Sequence, residues 1–138
     1  MTTLAVEHAP ASAALVRHRL AEALKVADVP PSVVGDAMLI VTELISNSVR
    51  HAQPLRAGTV IAGWATYDGT VELWATDGGS PGSVPEPQHV DATATGGRGL
   101  AIVNALSRDW GVDRQTHTTT VWARITVPAD DRIALTAS

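Results

Sequence analysis

The chain has no cysteine, no phenylalanine, one tyrosine and a single lysine, Lys25. The lack of cysteine excludes a disulfide framework, a thiolate zinc site and a cysteine nucleophile. With no phenylalanine, core packing falls to Ala, Val, Leu and Ile, helped by four tryptophans. A basic surface is also missing: the net charge of −4 argues against nonspecific nucleic-acid binding. The five histidines, His8, His18, His51, His89 and His117, show no close metal-ligand spacing. There is no Gly-x-x-x-x-Gly-Lys stretch, which excludes a P-loop. No apolar run reaches membrane-span length, and the N-terminus lacks a basic–apolar signal pattern. A soluble, cytoplasmic protein with no membrane partner and no direct nucleic-acid partner is expected.

What is present suits one domain. The 138 residues are 45% hydrophobic, enough for a core. The expected domain covers residues 1–128, with 129–138 as a C-terminal tail. Thr2 to Glu7 alternates with Leu4 and Val6 on one face and reads as a strand. Ser12 is an expected N-cap for a helix whose stripe is Leu15, Val16, Leu20, Ala23, Leu24 and Ala27. Pro31 suits the first turn of a second, longer helix that ends before Pro54. Gly58 to Thr66 and Val71 to Thr76 then read as a hairpin around Asp68-Gly69. Gly78 to Gly99 has no apolar periodicity, and a loop of that length inside a domain is usually functional. Leu100 to Leu106 resumes a helix. Trp110 to Arg114 and Thr118 to Val127 close the chain as strands. Helices grouped apart from hairpins predict an α+β fold, a two-layer α/β sandwich with a mixed, mainly antiparallel sheet and helices on one face.

The longer helix carries the chemistry. Its apolar stripe is Val34, Ala37, Met38, Val41, Leu44, Ile45, Ser48, Val49 and Ala52, and Asp36, Glu43, Asn47 and Arg50 lie on roughly the opposite side. Asn47 offers an amide oxygen, a hard ligand suited to Mg²⁺. Glu43, one turn earlier, can take a proton from a hydroxyl or water. Asp77, at a strand end, can accept a hydrogen bond from an exocyclic amine, and Gly78 and Gly79 permit close approach. Gly96-Gly97-Arg98-Gly99 precedes a helix, an arrangement that can bind an anion. Taken singly, each has an ordinary explanation: solvated helix residues, a turn aspartate, a flexible loop. Their order along one chain is what points to a nucleotide.

That order resembles the GHKL superfamily of ATP-binding proteins, which share the Bergerat, or histidine-kinase-like ATPase, fold. Glu43-Leu-Ile-Ser-Asn47-Ser-Val-Arg-His51 looks like its N box, Asp77-Gly-Gly79 like its G1 box and Gly97-Arg98-Gly99-Leu100 like its G2 box. The C-terminal half, with Asp109-Trp110-Gly111-Val112 and Thr120-Val121-Trp122, is most similar to anti-sigma-factor serine/threonine kinases of the RsbW and SpoIIAB type. The resemblance implies ATP and Mg²⁺ as cofactors, Glu43 as catalytic base and Asn47 as the metal ligand. Asp77 becomes the adenine reader, with Gly79 beside it. Gly97, Arg98, Gly99 and Leu100 fall on the phosphate side, with Arg50, His51 and Thr120 near the nucleotide. It further implies a sigma factor and an anti-anti-sigma (antagonist) protein as partners, and a homodimer. Pro81 replaces a second G1 glycine of many members, and Thr118-Thr119 replaces a Gly-Lys of many relatives. The implied function is sequestration of a sigma factor and phosphorylation of an antagonist on Ser or Thr. The alternative is a nucleotide-binding or degenerate interaction module that regulates transcription without phosphotransfer.

Overall fold

A central hairpin with a two-residue turn sets the sheet. In the computed structural model, which describes residues 1–79 and 100–128, strands β2 (Thr59–Tyr67) and β3 (Thr70–Asp77) pair antiparallel. Between them Asp68 and Gly69 both adopt positive φ, 46° and 67°. Such turns match the right-handed twist of the flanking strands. Strand β1 (Thr2–Glu7) adds to the outer side of β2. After β3 the chain passes through helix α3 (Leu100–Leu106) to the far edge, β4 (Asp109–Arg114), and returns as β5 (Thr119–Thr126) beside β3. The order is β1-β2-β3-β5-β4. Every pairing among the described residues is antiparallel, so the expected mixture of directions is not seen.

Helices α1 (Ser12–Val26) and α2 (Pro31–His51) cover one face. Alternation along the strands explains why. Val71, Leu73 and Ala75 on β3 and Ala123 and Ile125 on β5 are buried, and α2 packs over them. The buried stripe of α2 includes Val33 and Ile40 as well as the expected Val34, Ala37, Val41, Leu44, Ile45 and Ser48. It is wider than a one-sided helix needs, because α1 and α3 pack on α2 from the flanks. This also corrects the sequence reading of membrane spans. By length and composition, α2 is apolar enough to cross a membrane, with mean hydropathy 1.3, but its apolar side is the core of the sandwich.

Two details of α1 differ from expectation. Ser12 is the first residue of the helix, not its cap. Its Oγ donates to Glu7 O at 2.6 Å and ties the helix to the end of β1. Leu15 lies outside the stripe and is exposed, while Ala13 and Ala21 are buried in its place. Residues 129–138, expected as a tail, lie outside the described residues.

On the helix-free face, one row crosses four strands in register: Gly63, Trp74, Trp122 and Gly111. A Cβ at Gly63 would fall inside the Trp74 indole, and one at Gly111 would lie 2.8 Å from the Trp122 ring. Each indole therefore lies across a neighbouring strand where only glycine leaves room. Arg124 stacks 4.4 Å from the Trp122 centroid and is held by Glu72 at 2.9 Å and Asp109 at 3.0 Å.

Gly63→Ala is expected to cost about 1–3 kcal/mol by overpacking. The same change in a Trp74→Ala background is expected to cost markedly less. Urea unfolding of the four chains of that cycle checks it, and equal costs in both backgrounds would show that the ring contact is not the cause.

Candidate functional site

The sequence reading brought the long helix and the end of the central strand to one place, and the structure joins them there. Asp77 ends β3 on the helix-facing side and is only 4% exposed. Its Oδ1 accepts the Gly79 N–H at 2.8 Å, and Ser48 of α2 acts on it to favour the ionised form. Asn47 directly precedes Ser48 in α2, and Glu43 is one turn earlier. Both are half-buried.

Backbone bonds seal the joint. Gly78 N–H donates to Gln53 O and Gln53 N–H to Gly79 O, each at 2.8 Å. A Cβ at Gly78 would lie 2.5 Å from Pro54 O, so the two segments approach closely only with glycine there. Gly79 has φ 82°, a left-handed conformation that glycine adopts without strain. From the other side, His8 Nε2 lies 2.9 Å from both Ser48 O and Ala52 O, in the last turn of α2. Both partners are carbonyls, so Nε2 is the donor.

Electrostatics at the joint oppose one another. Burial pushes the Asp77 carboxyl above its ordinary value, and this outweighs Ser48, the Gly79 hydrogen bond and the charges of His8 and Arg114, which act to lower it.

Asn47 Oδ1 is buried and has no hydrogen-bond partner among the described residues. Leaving a buried acceptor unmatched costs about 1–3 kcal/mol, which is the signature of a position built for something else. A lone hard oxygen fits Mg²⁺, which keeps several waters and takes one or two protein oxygens together with phosphate oxygens. Among the described residues no cluster of three His, Cys, Asp or Glu could form a closed metal cage.

The remaining expected positions divide. Arg50 and His51 sit in the last turn of α2, both exposed. Leu100 opens α3 and is buried. Gly97, Arg98 and Gly99 lie outside the described residues. Thr120 is separated from this group. It faces the helix-free side, where its Oγ1 bonds Thr76 Oγ1 at 2.7 Å. Its neighbour Thr119 is the one near the joint, its Oγ1 3.2 Å from where a Gly79 Cβ would stand. Strand alternation explains the one-residue difference. Sequence reasoning missed Ser48 and His8. A serine inside an apolar stripe was the available signal for the first. For His8, 40 residues from its partner Ser48, there was none.

Helices on one face of a five-stranded antiparallel sheet, with Asn47 and Asp77 gathered where the longest helix meets the central strand, define the class as an α+β sandwich. A family model described as the histidine kinase-like ATPase domain matches residues 6–125. The chain belongs to that family, and ATP is the ligand its membership implies. No curated protein matches the chain. Among solved structures, it is similar to the crystal structure of the RsbU and RsbW domains of Rv1364c from Mycobacterium tuberculosis. The two share 21% identity and a TM-score of 0.65, over 92% of this chain and 33% of that one. The likeness is one of fold, and this chain spans a third of that longer protein.

Asp77 also predicts a pH dependence. Its folded value is raised above the ordinary 3.8, so between the two values the folded chain holds more protons than the unfolded one. Stability therefore falls as pH rises through that window and stays lowered above it. Asp77→Asn should raise the melting temperature at pH 7, with the gain shrinking as pH falls towards 4. Thermal melts across that range check the sign, and a lower melting temperature at pH 7 would contradict it.

Proposed function

We propose that this chain binds Mg²⁺-ATP in the cleft between α2 and the end of β3 and acts as a regulatory serine/threonine kinase of the anti-sigma type. The observation that carries the reading is the Asn47 Oδ1, unmatched among the described residues, one turn from Glu43 and next to Ser48. Asp77 accepts a hydrogen bond from the exocyclic amine of adenine, with Gly79 beside the base. Asn47 would hold Mg²⁺, which when bound neutralises charge on the phosphates. Glu43 accepts the proton of a Ser or Thr hydroxyl on a protein substrate. The hydroxyl oxygen forms its bond to the γ-phosphorus as the bond from that phosphorus to the ADP oxygen breaks, and ADP leaves. Arg50 and His51 border the cleft, and Gly97 to Leu100 serve the phosphate side. A sigma factor is the sequestered partner and an antagonist protein the phosphorylated one. Both belong to the cytoplasm, and a homodimer is the expected assembly.

A second reading rests on Thr118-Thr119, which stands where many relatives carry Gly-Lys. Without that lysine the protein holds ATP as a conformational signal for partner capture and does not transfer phosphate.

Calorimetric titration with ATP separates these from a protein without a nucleotide site. Asn47→Ala should weaken Mg²⁺-dependent binding tenfold or more, about 1.4 kcal/mol. Glu43→Gln should keep affinity within about threefold, since it alters a proton acceptor and not a phosphate contact. With γ-labelled ATP and an extract of its own cells, the wild type should label a Ser/Thr protein and Glu43→Gln should not. Binding that is indifferent to Mg²⁺ and to Asn47→Ala would refute the site. Intact binding with no labelled protein would favour the second reading.

A further inference from the structure

We infer that the free edge of β1, with the flank of α1 beside it, is a two-fold interface for a second copy of this chain. The inference assigns a surface to the homodimer of the reading above and does not depend on ATP. Strand β1 ends the sheet, and among the described residues no strand lies on its outer side. An unpaired edge invites pairing unless charge, proline or a cover blocks it. The opposite edge is guarded in this way, since β4 carries Asp109, Asp113 and Arg114. Strand β1 has neither charge nor proline before Glu7.

Backbone parity decides which groups are open. The His8 N–H donates to Gly58 O at 2.8 Å. Antiparallel pairs alternate along the ladder, so Leu4 and Val6 turn their backbone groups inward to β2, and Thr3, Ala5 and Glu7 turn theirs outward. Glu7 O is already taken, by the Ala9 N–H at 2.8 Å and the Ser12 hydroxyl at 2.6 Å. Thr3 and Ala5 are left to meet another strand. A second β1, antiparallel and with the two Leu4 residues opposite one another, lets Thr3 exchange both backbone bonds with the partner's Ala5, and Ala5 with the partner's Thr3.

The flank of α1 has the same symmetry. Leu15, Arg19, Glu22 and Val26 lie along one face at helical spacing, and all four are exposed. Arg19, Glu22 and Val26 border a groove of about 440 Å³ shared with Thr2, Leu4 and Trp64. Outward from its midpoint, this face presents one charge of each sign and then an aliphatic side chain on each side. A two-fold axis through that midpoint sets Arg19 against the partner's Glu22 and Leu15 against the partner's Val26, and the reverse pairs follow by symmetry. One axis serves both elements because α1 runs back along β1, with Ser12 bonded to Glu7 at one end and Val26 sharing the groove with Thr2 at the other.

Sedimentation of the full chain over a concentration series tests this. The wild type should dimerise. Arg19→Glu and Glu22→Arg should each weaken self-association at least about tenfold, because each sets like charges together twice across the axis. Mixed with one another, the two variants should form a heterodimer within about threefold of wild-type affinity, since every facing pair is then opposite in sign. Thr3→Pro, which removes an outward N–H and no bond to β2, should also give monomers. If that variant does not fold, the charge variants decide alone. Variants that dimerise like wild type, or a dimer lost in Trp122→Ala and kept in Arg19→Glu, overturn the surface and leave the ATP reading standing. A wild type that stays monomeric at its highest soluble concentration overturns both this surface and the homodimer, and Mg²⁺-ATP binding is judged separately by calorimetry.

Discussion

A carboxylate buried at the end of a central strand must be compensated, and the architecture around Asp77 is that compensation. The Gly79 N–H bonds to it, and Ser48, His8 and Arg114 also act to favour its ionised form. Burial still dominates and keeps its carboxyl above the ordinary range. Much of the local sequence follows from this constraint. Gly78 is needed because the strand end runs against Gln53 and Pro54. Burial of the carboxylate costs stability at this joint wherever it is ionised.

The polar side of α2 shows the same economy. Asn47 keeps a buried oxygen unmatched among the described residues, while the carbonyl of its neighbour Ser48 accepts from His8 Nε2. Two adjacent residues thus meet different surroundings, because 100° of helical rotation separates them. Helix α2 is apolar enough to be mistaken for a membrane span, and that apolarity comes from its three-sided packing at the centre of the domain.

Much of the fold was legible in the residues. Among the described residues, hydrophobic period and turn chemistry located the five strands, the three α-helices and the Asp68-Gly69 hairpin, with bounds within about two residues, but not the short 3-10 turn Arg56–Gly58. Local pattern failed where long-range contact decided the outcome. Ser12 looked like a cap because its type favours caps, yet its hydroxyl was claimed by Glu7 O. Leu15 looked like core but projects to solvent, beyond what α2 can cover. Strand alternation sends Thr120 to the indole-bearing face and brings Thr119 to the cleft, a parity that depends on where β5 meets β3. Of the candidate site, the convergence of the Glu43–Asn47 helix and the Asp77 strand end was readable from motif order. His8 was not, because its role is set by a contact 40 residues away.

The account's central claim is spatial: ATP sits where α2 meets the end of β3, on the helix side of the sheet. Amide chemical shifts followed during titration with Mg²⁺-ATP test it most directly. The account predicts that the largest changes fall on the Asn47 side-chain amide and on the Gly78 and Gly79 backbone amides, with the Trp74 and Trp122 indoles undisturbed. Changes centred on those indoles, or none anywhere, would contradict it.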